Sequence, residues 1–177
     1  ATFPDLLLIR EATPHSTRVA YGINVFWMSV RDHVSSPLAI GMAKLASGLA
    51  IATIFLLCFR VRGLNPISRD RARGQLDTFR VGCAVYIGSF LLTSNWDYRL
   101  IFLLFTVPCL CQWSQDNEHM AGQLARVALP AILLACWSLG LRALMLKCGF
   151  PMAIWFLLDQ TAKWTVLAAL SVVFALT

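Results

Sequence analysis

Residues 37–59, PLAIGMAKLASGLAIATIFLLCF, hold a single charge, Lys44, in an otherwise apolar or small-residue run. As an α-helix this run extends about 34 Å, enough to cross the hydrocarbon core of a bilayer with some tilt. Ala39, Ala43 and Ser47 recur every four residues, as do Ala46 and Ala50. Small residues at that spacing let helix backbones approach closely inside lipid. Lys44 lies near one end, where a long side chain can reach the interface.

The whole chain agrees with this stretch. Of its 177 residues, 58% are hydrophobic and 14% charged, with six Trp, eleven Phe and a mean hydropathy of +0.68. Globular domains average about 45–50% apolar and about 25% charged. So few charges exclude an ordinary soluble enzyme, and so many large apolar residues exclude a disordered chain. The apolar runs are continuous rather than alternating, which excludes a transmembrane barrel. The expected fold is all-α: a polytopic integral membrane bundle.

Working outward from residues 37–59, the next apolar runs give spans at about 78–94, 99–113, 127–146 and 151–177, five in all. Residues 1–36 form a separate extracytoplasmic or interfacial segment, and residues 37–177 the bundle. Within the first segment, Ala20 to Val30 is apolar but short. Eleven residues of helix cover about 16 Å, half a bilayer core, so an outer-side interfacial or re-entrant helix is expected. The runs at 78–94 and 99–113 are short and read as a tight hairpin, with Ala84 and Gly88 as a small-residue face and Pro108 inside the second. Residues 114–126 are polar and form a loop, after which Pro130 falls in the first turn of the next span, where proline is tolerated.

Arg60, Arg62, Arg69, Arg71 and Arg73 crowd around the turn-forming Asn65-Pro66. Such a loop is retained in the cytoplasm and meets anionic headgroups. That puts the N-terminus outside and the C-terminus inside, with membrane lipids as the first partners. The net charge of +6 is therefore an orientation signal, and no nucleic-acid partner is expected. Cys109-x-Cys111 is the one close cysteine pair, without a second pair or a histidine at ligand spacing, so no metal and no cofactor is expected. The chain opens without Met, shows no signal-peptide pattern, and ends on the apolar Ser171 to Thr177. The expectation is a piece of a longer chain.

Three groups of polar residues need a reason to be where they are. The turn Asn95-Trp96-Asp97-Tyr98-Arg99 gathers an amide, a carboxylate, a guanidinium and two aromatics at the outer edge of the hairpin. Arg99 offers a fork for phosphate or carboxylate, Trp96 and Tyr98 offer stacking surfaces, and Asp97 offers a base. The plainer reading is an interfacial aromatic belt with Asp97 paired to Arg99. Asp159 and Lys163 share a helix face, with Lys163 about 18 Å along the helix from Pro151, near mid-bilayer. They are either a pathway for protons or substrate, or a mutually neutralising pair that locks packing. Arg142 and Arg80 lie near helix ends; Arg142 is either an interfacial anchor or a partner for a headgroup or for Asp159. His15, His33 and His119 are scattered, and no catalytic motif assigns a catalytic residue.

The stretch Leu76 to Trp113, LDTFRVGCAVYIGSFLLTSNWDYRLIFLLFTVPCLCQW, resembles the late membrane helices of bacterial GT-C-type proteins, nearest to uncharacterised relatives of glycosyltransferase family 87. The likeness lies in the turn of Asn95, Asp97, Tyr98 and Arg99, followed by Leu-Ile-Phe-Leu-Leu and Pro108, and covers about a fifth of the chain. It implies an integral membrane transferase of a bacterial cytoplasmic (inner) membrane that moves a sugar from a polyprenyl-phosphate donor at the outer face. The family's catalytic acid lies in an early extracytoplasmic loop that this chain does not match, since Asp5 and Glu11 fit it poorly. The resemblance thus implies a C-terminal portion lacking the catalytic base, with Arg99 and its neighbours shaping the lipid-phosphate site. Two other readings stand beside it: a non-catalytic subunit or scaffold among other membrane subunits, and a transporter or lipid-handling fragment.

Overall fold

Residues 152–176 contain Asp159, Gln160 and Lys163 among large apolar side chains, a pattern that only a helix enclosed by protein tolerates in lipid. The structure, a computed structural model, describes residues 20–33, 36–62, 73–92, 95–116 and 119–177. In chain order its elements are β1 (Ala20–Tyr21), α1 (Ile23–His33), α2 (Pro37–Val61), α3 (Arg73–Leu92), β2 (Asn95–Trp96), a 3₁₀ helix (Asp97–Phe105), α4 (Val107–Trp113), α5 (Met120–Cys136), α6 (Ser138–Lys147) and α7 (Met152–Leu176). It is an all-α bundle apart from one short ladder, in which β1 and β2 pair antiparallel with Ala20 opposite Trp96.

Helix α7 is the axis of the bundle. Its buried residues Trp155, Asp159, Lys163, Val166, Leu170 and Val173 form one stripe, and Gln160, Leu167, Ala169, Val172 and Leu176 widen the buried surface on both sides of it. Helix α5 runs antiparallel to it: Ala121 at the start of α5 clusters with Val172 and Leu176, while the Trp155 indole donates to the Ser138 carbonyl just beyond its end. The seam is built of alanines 121, 125, 128, 131 and 135, all buried. Small side chains at this spacing bring the two backbones together, which maximises dispersion contacts where lipid supplies no hydrophobic drive. Gly122 lets the start of α5 close on the end of α4 and the turn after it. A Cβ there would run into the Asp116 carbonyl oxygen and sit 2.8 Å from that of Trp113.

Helix α3 also runs antiparallel to α7. Arg80 donates to the Thr177 carbonyl at one end, the Tyr86 hydroxyl donates to the Lys163 carbonyl (2.9 Å) midway, and Phe90 meets Trp164 edge to face at 5.1 Å. Helix α2 runs parallel to α7, with Val61 packed beside Val172 and Leu176. The small-residue face expected at 39, 43 and 47 is the one α2 uses, since Ala43 and Ser47 are buried and Ser47 donates to the Ala43 carbonyl. Helix α1 occupies the expected short apolar stretch and docks on α2, where the Lys44 ammonium lies 4.6 Å from the Trp27 ring centroid.

Among the described residues, two helices are long and apolar enough to cross a membrane, α2 and α7, and a third if the bent pair α5 and α6 is one broken span. The five-span map changes in four places, first at 78–94, whose helix α3 begins at Arg73 and is not among these helices. Residues 99–113 are not one α-helix: the 3₁₀ helix gives way to α4 at Thr106, whose hydroxyl folds back to the Leu103 carbonyl (2.7 Å), and Pro108 brings no backbone donor to the first turn of α4. This part still packs on α3, at Gly82, where a Cβ would meet Thr106, Phe102 and Phe105. Ala84 and Gly88, expected as a small-residue face, do not make that contact: nothing lies within 4 Å of a Cβ built on Gly88.

The expected loop at 114–126 is helical from Met120, which places Pro130 inside α5 rather than in its first turn. The expected span at 127–146 is broken at Trp137, where ψ is 8° and the axis bends by 65°. Helix α6 then stops at a Schellman turn. Gly149 takes φ +72°, its N–H bonds to the Leu146 carbonyl (3.2 Å), and that of Phe150 to Met145 (3.0 Å). The expected span at 151–177 is α7, opening at Met152.

Candidate functional site

The buried polar centre is built on one face of α7. Trp155, Asp159 and Lys163 are four residues apart, so they stack in a row along the helix. The Lys163 ammonium donates to Asp159 Oδ2 at 2.9 Å, and both side chains are almost fully enclosed, 2% and 3% exposed. Gln160 donates to the same oxygen at 3.3 Å. Two donors thus converge on Oδ2, while Asp159 Oδ1 is buried and meets no hydrogen-bond partner among the described residues. An ion pair this deep repays its desolvation only with good geometry and further hydrogen bonds, and removing either partner leaves an uncompensated charge.

Helix α6 brings Arg142 to the same end of α7. Its guanidinium carbon lies 5.5 Å from the Trp155 ring centroid, and the indole N–H is fixed by the Ser138 carbonyl at 2.8 Å. Ser138 and Arg142 are one turn apart on α6, so one face of that helix supplies both contacts. Arg142 Nε is buried and unpartnered among the described residues. The guanidinium therefore sits on an aromatic face, a cation–π arrangement, rather than on a carboxylate.

Asp159 and Lys163 pair as their spacing leads one to expect, and Arg142 packs on Trp155, one helical turn before Asp159. Sequence reasoning missed Trp155, Ser138 and Tyr86. The spacing of Trp155, four residues before Asp159, was a usable signal; Tyr86 sits in an apolar run with nothing to single it out. For the hairpin turn only the backbone is described: Asn95 and Trp96 pair with Tyr21 and Ala20, and Asp97, Tyr98 and Arg99 open the 3₁₀ helix. The side chains of Asn95, Trp96, Asp97, Tyr98 and Arg99 lie outside the described residues. So do Asp5, Glu11, Arg69, Arg71 and the side chain of Arg73, whereas Arg60 and Arg62 are exposed at the end of α2.

Cys109 and Cys111 do not act together: Cys109 is buried with its thiol on the Gln75 carbonyl (3.2 Å), and Cys111 is exposed. No group of three or more His, Cys, Asp or Glu able to hold a metal ion occurs among the described residues. His119 pairs with Asp116 at 2.9 Å across the turn before α5. Comparison with protein-family models, with curated proteins and with solved structures finds no match to this chain.

Proposed function

We propose that this chain is a non-catalytic helical module of a larger membrane assembly, crossing the bilayer more than once. The observation that carries this reading is the closed Asp159–Lys163 pair at 2.9 Å inside the bundle. Charges at such depth cost about 2.5–3.5 kcal/mol each on insertion scales, and here they are joined within the helix packing. The antiparallel and parallel directions of α3, α5 and α2 about α7 suit a multi-pass chain whose arginine-rich 60–73 stretch faces the cytoplasm. With that orientation the N-terminal side lies outside and the end of α7 inside a bacterial inner membrane.

Two measurements test the reading. A tagged chain extracted from its own membranes in mild detergent should sediment in an assembly far larger than one 19.7 kDa chain in its micelle. Reconstituted in liposomes, the wild type should pass no protons or ions, and Asp159→Leu/Lys163→Met should melt close to the wild type. Sedimentation as a single chain, or a flux lost in the double variant, overturns the module.

The second reading is a polyprenyl-phosphate-sugar transferase, carried by the resemblance of residues 76–113 and by the ladder that fixes Asn95 and Trp96 against Ala20 and Tyr21. It requires Arg99→Ala in the full-length protein to abolish sugar transfer while expression is kept. Unchanged transfer removes the turn from any active site.

A further inference from the structure

Helices α2, α3 and α7 enclose an apolar cleft of about 380 Å³. Ile51, Phe55 and Cys58 line it from α2, Ala84 and Gly88 from α3, and Leu167 from α7. The space exists because α3 presents Ala84 and Gly88 there, and nothing lies within 4 Å of a Cβ built on Gly88. Its volume falls at the small end of the range for ligand sites. Along α2 the lining runs for about 10 Å, a length that suits part of one extended hydrocarbon chain.

The two lining stripes end in the same chemistry at the same end of the bundle. On α2 the stripe 51, 55, 58 continues by one turn to Arg62, the C-cap residue, whose N–H bonds to the Cys58 carbonyl at 3.2 Å. On α3 the stripe 91, 88, 84 continues by one turn to Arg80, which reaches the Thr177 carbonyl and lies 3.6 Å from Asp77. Because α2 and α3 meet α7 in opposite directions, Arg62 and Arg80 both fall where α7 ends. Arg62 is exposed there, and among the described residues Asp77 is the carboxylate paired with Arg80.

We propose that this cleft holds one acyl chain of an anionic phospholipid whose phosphodiester is bound by Arg62 and Arg80. The apolar walls recognise the chain, and the excess of guanidinium over carboxylate selects an anionic headgroup over a zwitterionic one. This goes beyond a packing role, since it assigns a ligand to a surface that the Asp159–Lys163 pair does not touch.

Native mass spectrometry of the purified full chain, with added phosphatidylglycerol or phosphatidylcholine, tests it independently of any assembly. One phosphatidylglycerol per chain should be retained in preference to phosphatidylcholine. Gly88→Leu and, separately, Ala84→Phe should fill the cleft and remove that lipid, with helix content and melting checked by circular dichroism. Arg62→Gln should weaken phosphatidylglycerol retention about tenfold, the loss of one charge-assisted contact, and Arg62→Gln/Arg80→Gln should weaken it further. Equal retention of both lipids overturns the headgroup assignment, and retention by folded Gly88→Leu and Ala84→Phe overturns the cleft.

Discussion

Helices α2 and α7 are both 25 residues long, and the more apolar of the two is the less buried. Helix α2 reaches a mean hydropathy of 2.0 with 11% of that window buried, against 1.2 and 56% for α7. In a water-soluble protein the order would be reversed, because burial there is driven by removing apolar surface from water. In lipid that drive between helices is lost, and large apolar side chains gain nothing by turning inward. Leu45, Leu49, Leu56 and Phe59 of α2 accordingly face outward, while its small Ala43 and Ser47 make the protein contact. Helix α7 takes the centre because it carries the groups lipid rejects: Asp159, Gln160 and Lys163 are all buried. Between these two helices, the one that carries polar groups is the one enclosed by protein, and the more apolar one is the more exposed.

The sharpest way to break that contrast is to unbalance the centre of α7. Lys163→Met leaves the Asp159 carboxylate buried without its ammonium, and should cost about 3–5 kcal/mol of stability in detergent unfolding. A loss much smaller than this would mean that the pair does not hold α7 in place. Next in size is the close approach of the start of α5 to the end of α4 and the turn between them. Gly122→Ala pushes a methyl group into the Asp116 and Trp113 carbonyls, which are backbone atoms that cannot swing aside, and should cost about 1–3 kcal/mol in the same assay. The smallest effect belongs to α2. Leu56→Ala on its outward face should change stability by less than about 0.5 kcal/mol. A large loss there would show that this face is covered by protein in the isolated chain.

Much of the fold was legible because two signals in the chain are strong and local. An apolar run as long as residues 37–59 can only be a helix in lipid, and the four-residue spacing of Ala43 and Ser47 marks the face that packs. The pairing of Asp159 with Lys163 followed from the same helical arithmetic. The segment 99–113 was harder, because Thr106 and Pro108 redirect the backbone through a side-chain bond and a missing donor, and neither alters hydropathy. The break at Trp137 is equally silent, since an apolar run scores the same whether its axis is straight or bent by 65°. The part of the site contributed by Tyr86, Ser138 and Trp155 was hidden for a different reason. Tyr86 and Trp155 donate to backbone carbonyls of other helices, that of Ser138 among them, and no side-chain pattern encodes such partners.

The sequence by itself determined the solvent, the helical class, the position of the charged pair and the excess of arginine around residues 60–73, because each depends on residue type and near spacing alone. Only the tertiary structure decided which of two apolar helices lies at the centre. It also decided that Ala84 and Gly88 open a cleft instead of closing a contact. Those outcomes depend on how helices distant in the chain are rotated against one another, and lipid, which holds apolar faces almost equally well in any rotation, leaves that choice to packing.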